Sequence, residues 1–206
     1  MNIRKNKMII NYLGVPIYKS KVEGNSYNKI QDELSISYEK CNFSMKEEWG
    51  YTSYLSDPSF KENLIQKFKL YNLSQEIEKH VSEYLSMIRF NLSGNYKESM
   101  SYDISSSWFS KYEKGCYAFV HNHGSFDISG VYYFKVSDSS SELFFRCPIP
   151  NLDTSLVYEH LGGAHIVPPE QGSILLFPGW LNHGVKTNMT DETRVSVSFN
   201  IAFQKF

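Results

Sequence analysis

Hydrophobic spacing changes character near residue 98. Before it, apolar residues recur at helical intervals; beyond it, they alternate or run together in short stretches broken by Gly and Pro. Ile30 and Leu34 stand four apart, with Tyr27 and Tyr38 extending the stripe. This predicts a helix over Ser26 to Lys40 with Ser26 as its N-cap. Ile77, Val81, Leu85 and Ile88 predict a second over Ser74 to Phe90, with Glu76 and Glu78 in the first turn, where the helix dipole favours acids. His80 is expected near its surface. Met8 to Lys19 reads as a strand, bent or at an edge, because of Gly14 and Pro16. Cys41 to Phe60 is irregular and aromatic, with turns at Trp49-Gly50-Tyr51 and Asp57-Pro58, and Gly94-Asn95 closes this half.

From Ser99 onward turn residues recur every eight to twelve positions. Predicted strands are Tyr102 to Lys111, Cys116 to His123, Ser129 to Val136, Glu142 to Arg146, Ala164 to Val167, Ser173 to Phe177 and Val195 to Phe203. The stretch Ser173 to Phe177 is almost wholly apolar and should be buried on both faces. Short strands at this spacing make a sandwich or barrel. The expected architecture is a mainly β, α+β protein forming one domain over 1–206. Residues 1–98 contribute a strand and supporting helices, and 99–206 the β core.

Composition sharpens this modestly. Aromatics reach 16%, with Tyr 15 and Phe 14, which favours strands. The net charge of −1 gives no electrostatic case for a nucleic-acid or membrane-surface partner. Cys41, Cys116 and Cys147 are far apart and form no Cys-x-x-Cys, which fits a reducing, cytoplasmic setting. The Met8-Ile9-Ile10 run is too short for a signal sequence or a membrane span.

The candidate chemistry lies in the β half. In a strand, residues i and i+2 share a face, so His121 and His123 project side by side. Two neutral imidazoles on one face begin a transition-metal site. His183, delivered at the end of the apolar Ser173–Phe177 strand, is placed to supply a third. In Arg194-Val195-Ser196-Val197-Ser198-Phe199-Asn200, alternation puts Arg194, Ser196 and Ser198 on one face. An arginine turned into a barrel interior needs an anion, which it can grip through two hydrogen bonds while Ser196 donates another. Tyr132 and Asn200 point where pocket walls would be. Trp108 and Trp180 are expected in the core or lining the pocket, and His160 and His165 on its rim.

This ensemble resembles the iron(II)- and 2-oxoglutarate-dependent oxygenase superfamily and is most similar to a branch found in bacteria and phages. The residues that carry the resemblance are Trp108, Lys114-Gly115, His121-x-His123, Ser129-Gly130-Val131-Tyr132-Tyr133, Pro169-x-x-Gly172, Leu176-Phe177-Pro178-x-Trp180-Leu181-x-His183 and Arg194-x-Ser196-x-Ser198-Phe199-Asn200. The resemblance implies a double-stranded β-helix, a cupin-like jelly roll with supporting N-terminal helices. It implies Fe(II) held by His121, His123 and His183, and 2-oxoglutarate held through its distal carboxylate by Arg194 and Ser196. Tyr132 and Asn200 would be further residues of the co-substrate pocket. With O2, the implied reaction decarboxylates 2-oxoglutarate to succinate and hydroxylates a substrate.

The superfamily usually has a carboxylate where His123 stands. Asp127 is the alternative ligand, provided that the Gly124-Ser125-Phe126 turn folds it back. The three-histidine set keeps two other functions open. One is a three-histidine dioxygenase that oxidises thiols without 2-oxoglutarate, with Arg194 on the substrate's own carboxylate. The other is a catalytically silent β-barrel that binds metal or ligand. The small-molecule co-substrate is the one partner these motifs imply; the prime substrate and the oligomeric state are not encoded in them.

Overall fold

The computed structural model describes residues 8–12, 14–45, 53–56, 63–88, 100–149, 152 and 164–205. Two antiparallel sheets face one another, with helices on the outer face of the larger. The chain opens with a hairpin of β1 (Met8–Tyr12) and β2 (Val15–Lys21). Gly14 takes φ +76 at its turn, a left-handed conformation that costs glycine little. Next come α1 (Gly24–Glu39), β3 (Phe43–Met45), β4 (Tyr54–Ser56), α2 (Leu64–Phe68) and α3 (Tyr71–Met87). The β half follows with β5 (Met100–Tyr112), β6 (Ala118–His121), β7 (Ile128–Lys135), β8 (Leu143–Phe145), β9 (His165–Val167), β10 (Ser173–Pro178), β11 (His183–Val185) and β12 (Arg194–Lys205). The eight-stranded sheet runs β1-β2-β10-β7-β12-β5-β4-β3 and the four-stranded sheet β6-β11-β8-β9.

From β5 to β12 the chain passes back and forth between the two sheets, with β8 and β9 both in the smaller, which is the double-stranded β-helix expected from the resemblance. Alternation along the strands divides the interior. Tyr132, Phe134, Ile174, Leu176, Val197 and Phe199 pack outward beneath Ile30, Leu34, Leu73, Ile77 and Val81 of the helices. Val131, Tyr133, Leu175 and Phe177 point the other way, onto Leu143, Phe145 and Val167 of the small sheet. β7 and β10, in the middle of the large sheet, are thus buried on both faces. Full burial of each such side chain contributes about 1.5–3 kcal/mol.

Several elements differ from their sequence expectation, each for a tertiary reason. The second long helix begins at Tyr71, not Ser74. The Glu33 carboxylate of α1 accepts the Asn72 and Leu73 amides at 3.0 and 3.3 Å, capping α3 from another helix. Glu76 and Glu78 therefore lie beyond the first turn. The first helix begins at Gly24, with Glu23 as N-cap and no side-chain cap bond, so Ser26 is already inside it. His80 is buried, completing the Leu73–Ile77–His80–Tyr84 stripe, and its Nδ1 lies 2.7 Å from the Tyr18 hydroxyl. Within Cys41 to Phe60 the short β3 and β4 extend the large sheet along β5. Trp49-Gly50-Tyr51, Asp57-Pro58, Phe90, Gly94-Asn95 and His160 lie outside the described residues. Among the described residues no helix is long and apolar enough to cross a membrane.

Gly130 of β7 pairs with Phe199 of β12, and the Phe199 ring lies across it. A Cβ at residue 130 would stand 2.3 Å from that ring. Gly130→Ala is expected to lower the urea midpoint by an amount equivalent to about 1–3 kcal/mol of overpacking. The loss should shrink in a Phe199→Leu background, because the two residues are in contact.

Candidate metal centre

His121 ends β6 and His183 opens β11, and the two are direct cross-strand partners, so their rings lie 4.5 Å apart between centroids. Past His121 the chain leaves the strand yet stays close. The His123 amide donates to Gly179 O at 2.7 Å, and the Gly179 amide donates to Asp127 O at 3.1 Å. A Cβ at residue 179 would meet Phe126 O at 2.1 Å, so glycine alone permits this crossing. The crossing sets the His123 ring 5.2 Å from both other rings. Ligand atoms of His121, His123 and His183 all lie within 4.8 Å of one another.

Hydrogen bonds give the three rings the tautomer that metal binding needs. Nδ1 of His121 lies 2.8 Å from Phe119 O, and Nδ1 of His183 lies 2.9 Å from Leu181 O. A carbonyl only accepts, so each Nδ1 carries the proton and Nε2 is left to offer a lone pair. His123 Nδ1 meets the Asn200 side-chain oxygen at 2.6 Å, to the same effect. Burial holds all three neutral. The His121 pKa is pushed down to about 4, first by desolvation and further by His123 beside it. Desolvation also lowers His123, and holds His183 well below the usual imidazole range.

Arg194 opens β12 and is 1% exposed. Its guanidinium carbon lies 4.7 Å from the Tyr112 ring centroid and 5.2 Å from that of Tyr133. Nη1 donates to Ser196 Oγ at 3.4 Å, while Nε is buried without a hydrogen-bond partner among the described residues. Cation–π contact offsets part of the desolvation, at about 2 kcal/mol in the best cases, against several kcal/mol for burying an ion. A cavity of about 290 Å³ is lined by the three imidazoles and Arg194 alike, and no Asp or Glu lies among its lining residues. The donor set suits Fe, Zn, Cu or Ni. The orphaned Nε and the missing counter-charge suit a small carboxylate.

The remaining sequence expectations divide. Ser196, Ser198 and Asn200 share the cavity face of β12 with Arg194, as alternation predicts. Asn200 sits against His123. Tyr132 does not reach the cavity. It faces the helix-side core, and its hydroxyl accepts Gln31 Nε2 at 3.2 Å. The neighbouring Tyr133 is the residue beside Arg194, one step along a strand whose Ile128–Phe134 stretch is wholly buried, so the pattern of apolar residues could not tell the two apart. Tyr112 has no place among the sequence expectations, although it is Arg194's cross-strand partner, and Ser129 is there only as the start of a strand and motif, without its contact to His123. Asp127 is exposed, and its carboxylate accepts the Phe203 amide at 2.8 Å, away from the imidazoles. Trp108 lines the cavity, with its ring 5.8 Å from His123. Trp180 is 52% exposed, and His165 does not line the cavity.

Residues 106–200 match the family model described as "Putative 2OG-Fe(II) oxygenase", which bears out the resemblance seen in the sequence. Solved structures share the fold. A prolyl-4-hydroxylase from Pseudomonas putida matches at TM-score 0.56 and 11% identity, covering 95% of this chain and 96% of its own. A 2OG-Fe(II) oxygenase family oxidoreductase from Burkholderia pseudomallei matches at TM-score 0.58 and 9% identity, over 89% and 84%. HygX from Streptomyces hygroscopicus, with nickel and 2-oxoglutarate bound, matches at 0.59 and 11%, over 91% and 83%. No curated protein sequence matches the chain significantly.

The depressed imidazole pKa values fix a pH dependence. Between about 4 and the ordinary value of 6.5 the unfolded chain binds protons that the folded, metal-free protein excludes. Their contribution to stability is full above 6.5 and falls as pH drops through that window. Urea unfolding of the metal-free protein from pH 7.5 to 4.5 should show this loss, and a shallower slope in His121→Gln.

Proposed function

We propose that this chain is an Fe(II)- and 2-oxoglutarate-dependent dioxygenase that decarboxylates 2-oxoglutarate to succinate and hydroxylates a second substrate. The observation that carries the reading is the buried Arg194 guanidinium, without an acidic partner among the described residues, opening onto the same cavity as three converging imidazoles. The family match over 106–200 supports it, as does a fold shared with a protein that holds nickel and 2-oxoglutarate.

In this reading His121, His123 and His183 hold the iron, and Arg194 with Ser196 holds the distal carboxylate of the co-substrate. Iron bound there would supply a chelation site for the keto-acid end and open positions for dioxygen. The chain's own contributions are positional and electrostatic. Local hydrogen bonds present Nε2 of each ring. The Tyr112 and Tyr133 faces hold the guanidinium in place before the anion arrives. Apolar walls at Val131, Leu143, Phe177 and Val185 limit the water around both. Three neutral ligands leave the metal with its full charge, and the dianionic co-substrate offsets it. Cys41, Cys116 and Cys147, widely spaced and without a Cys-x-x-Cys pair, fit a reducing, cytoplasmic setting.

The three-histidine set also favours a second reading, a dioxygenase acting on a carboxylate-bearing thiol without 2-oxoglutarate. Anaerobic addition of Fe(II) and 2-oxoglutarate should give the weak visible charge-transfer band of a chelated keto acid. In Arg194→Ala the 2-oxoglutarate concentration needed for that band should rise about 10–100-fold, the loss of a charge-assisted hydrogen bond. Tyr132→Phe should leave it unmoved. No band, together with oxygen uptake on a thiol amino acid alone, would establish the second reading instead.

A further inference from the structure

The three imidazoles are not held in the same way. His121 and His183 each donate Nδ1–H to a backbone carbonyl two residues earlier in their own segment, so their orientation comes with the strand. His123 has no backbone carbonyl in that role, and Ser129 Oγ lies 3.2 Å from its Nδ1. Its Nδ1–H meets the side-chain oxygen of Asn200, 77 residues away on β12 of the facing sheet, at 2.6 Å. That oxygen also accepts Ser129 Oγ–H of β7 at 2.8 Å, and the Asn200 Nδ2 donates to Ser106 Oγ of β5 at 3.0 Å. Asn200 is 3% exposed, and this three-strand network holds its amide from both ends. Both of its neighbours orient it the same way, oxygen toward His123.

We propose that Asn200, besides lining the cavity, is a positioning residue for the third ligand. An amide oxygen can only accept, so it fixes the proton on Nδ1 of His123 and the lone pair on Nε2. It also fixes the plane of the ring against Trp108. The amide does this without adding charge, so the ligand set stays neutral throughout. His123 thus becomes a ligand only when β6, β7, β5 and β12 have come together, whereas the other two imidazoles are set by their own segments. The inference rests on the reading of His123 as a metal ligand.

The test uses the full chain with Co(II) and Zn(II) as probes. Asn200→Leu should weaken Co(II) binding, followed by its visible bands, about 10–100-fold, as loss of a partner behind a ligand does. Asn200→Asp keeps the acceptor oxygen and should restore affinity to near that of the unmodified protein. In the metal-free protein above pH 7, ¹⁵N NMR of the imidazoles should show His123 protonated at Nδ1 in the unmodified and Asp proteins and a mixture of the two tautomers in the Leu protein. A merely structural role would move the urea midpoint without this pattern. Asn200→Leu binding Co(II) as tightly as the unmodified protein, or Asn200→Asp failing to restore, overturns the inference and leaves the three-imidazole site standing. An unmodified protein that binds neither metal brings down both.

Discussion

A guanidinium with almost no access to water, and no carboxylate among the described residues to answer it, constrains the whole interior. Removing such an ion from water costs several kcal/mol, and the protein returns only part of that through the faces of Tyr112 and Tyr133 and one hydroxyl of Ser196. The imbalance persists because the surrounding core is large enough to carry it. Val195, Val197 and Phe199 alternate with the cavity residues of β12 and are locked beneath the helices. The cation is therefore held where an entering anion meets it already stripped of water, and electrostatic attraction there is far stronger than at a surface.

The imidazoles obey the same logic with the opposite sign. Burial that makes the arginine costly keeps His121, His123 and His183 unprotonated, because a proton on any of them would be one more unanswered charge. The interior thus holds neutral nitrogen donors at one place and a fixed cation at another, with no acid among the lining residues. A small anion binding there would supply the negative charge that the described lining residues lack. A dianion spanning metal and guanidinium meets that need more fully than a neutral ligand would.

β12 joins these parts mechanically. It is paired along its length to β5 and on its other side to β7, so its register is fixed twice. The same strand carries Arg194 at its opening and Asn200 six residues on, with the bulge between Asn200 and Ile201 just past the point where His123 is gripped. Such bulges re-aim side chains near sites. Beyond it the strand continues as ordinary sheet, and Phe203 uses its amide to tie down Asp127.

The residue order alone determined the division into a helical half and a β half, the three imidazoles, and the face shared by Arg194, Ser196 and Ser198. These are local regularities, written in periods of 3.6 and 2. It could not separate Tyr132 from Tyr133, since a strand buried on both sides shows no polar alternation to set the phase. Nor could it find β11, three residues long and made a strand only by its neighbours β6 and β8. It put Asn200 at the pocket wall, where it does line the cavity, but could not show its side-chain oxygen against His123. Ring orientation, proton position and an unanswered charge depend on atoms from distant segments meeting at hydrogen-bond distance. Only the closed pair of sheets brings them that close.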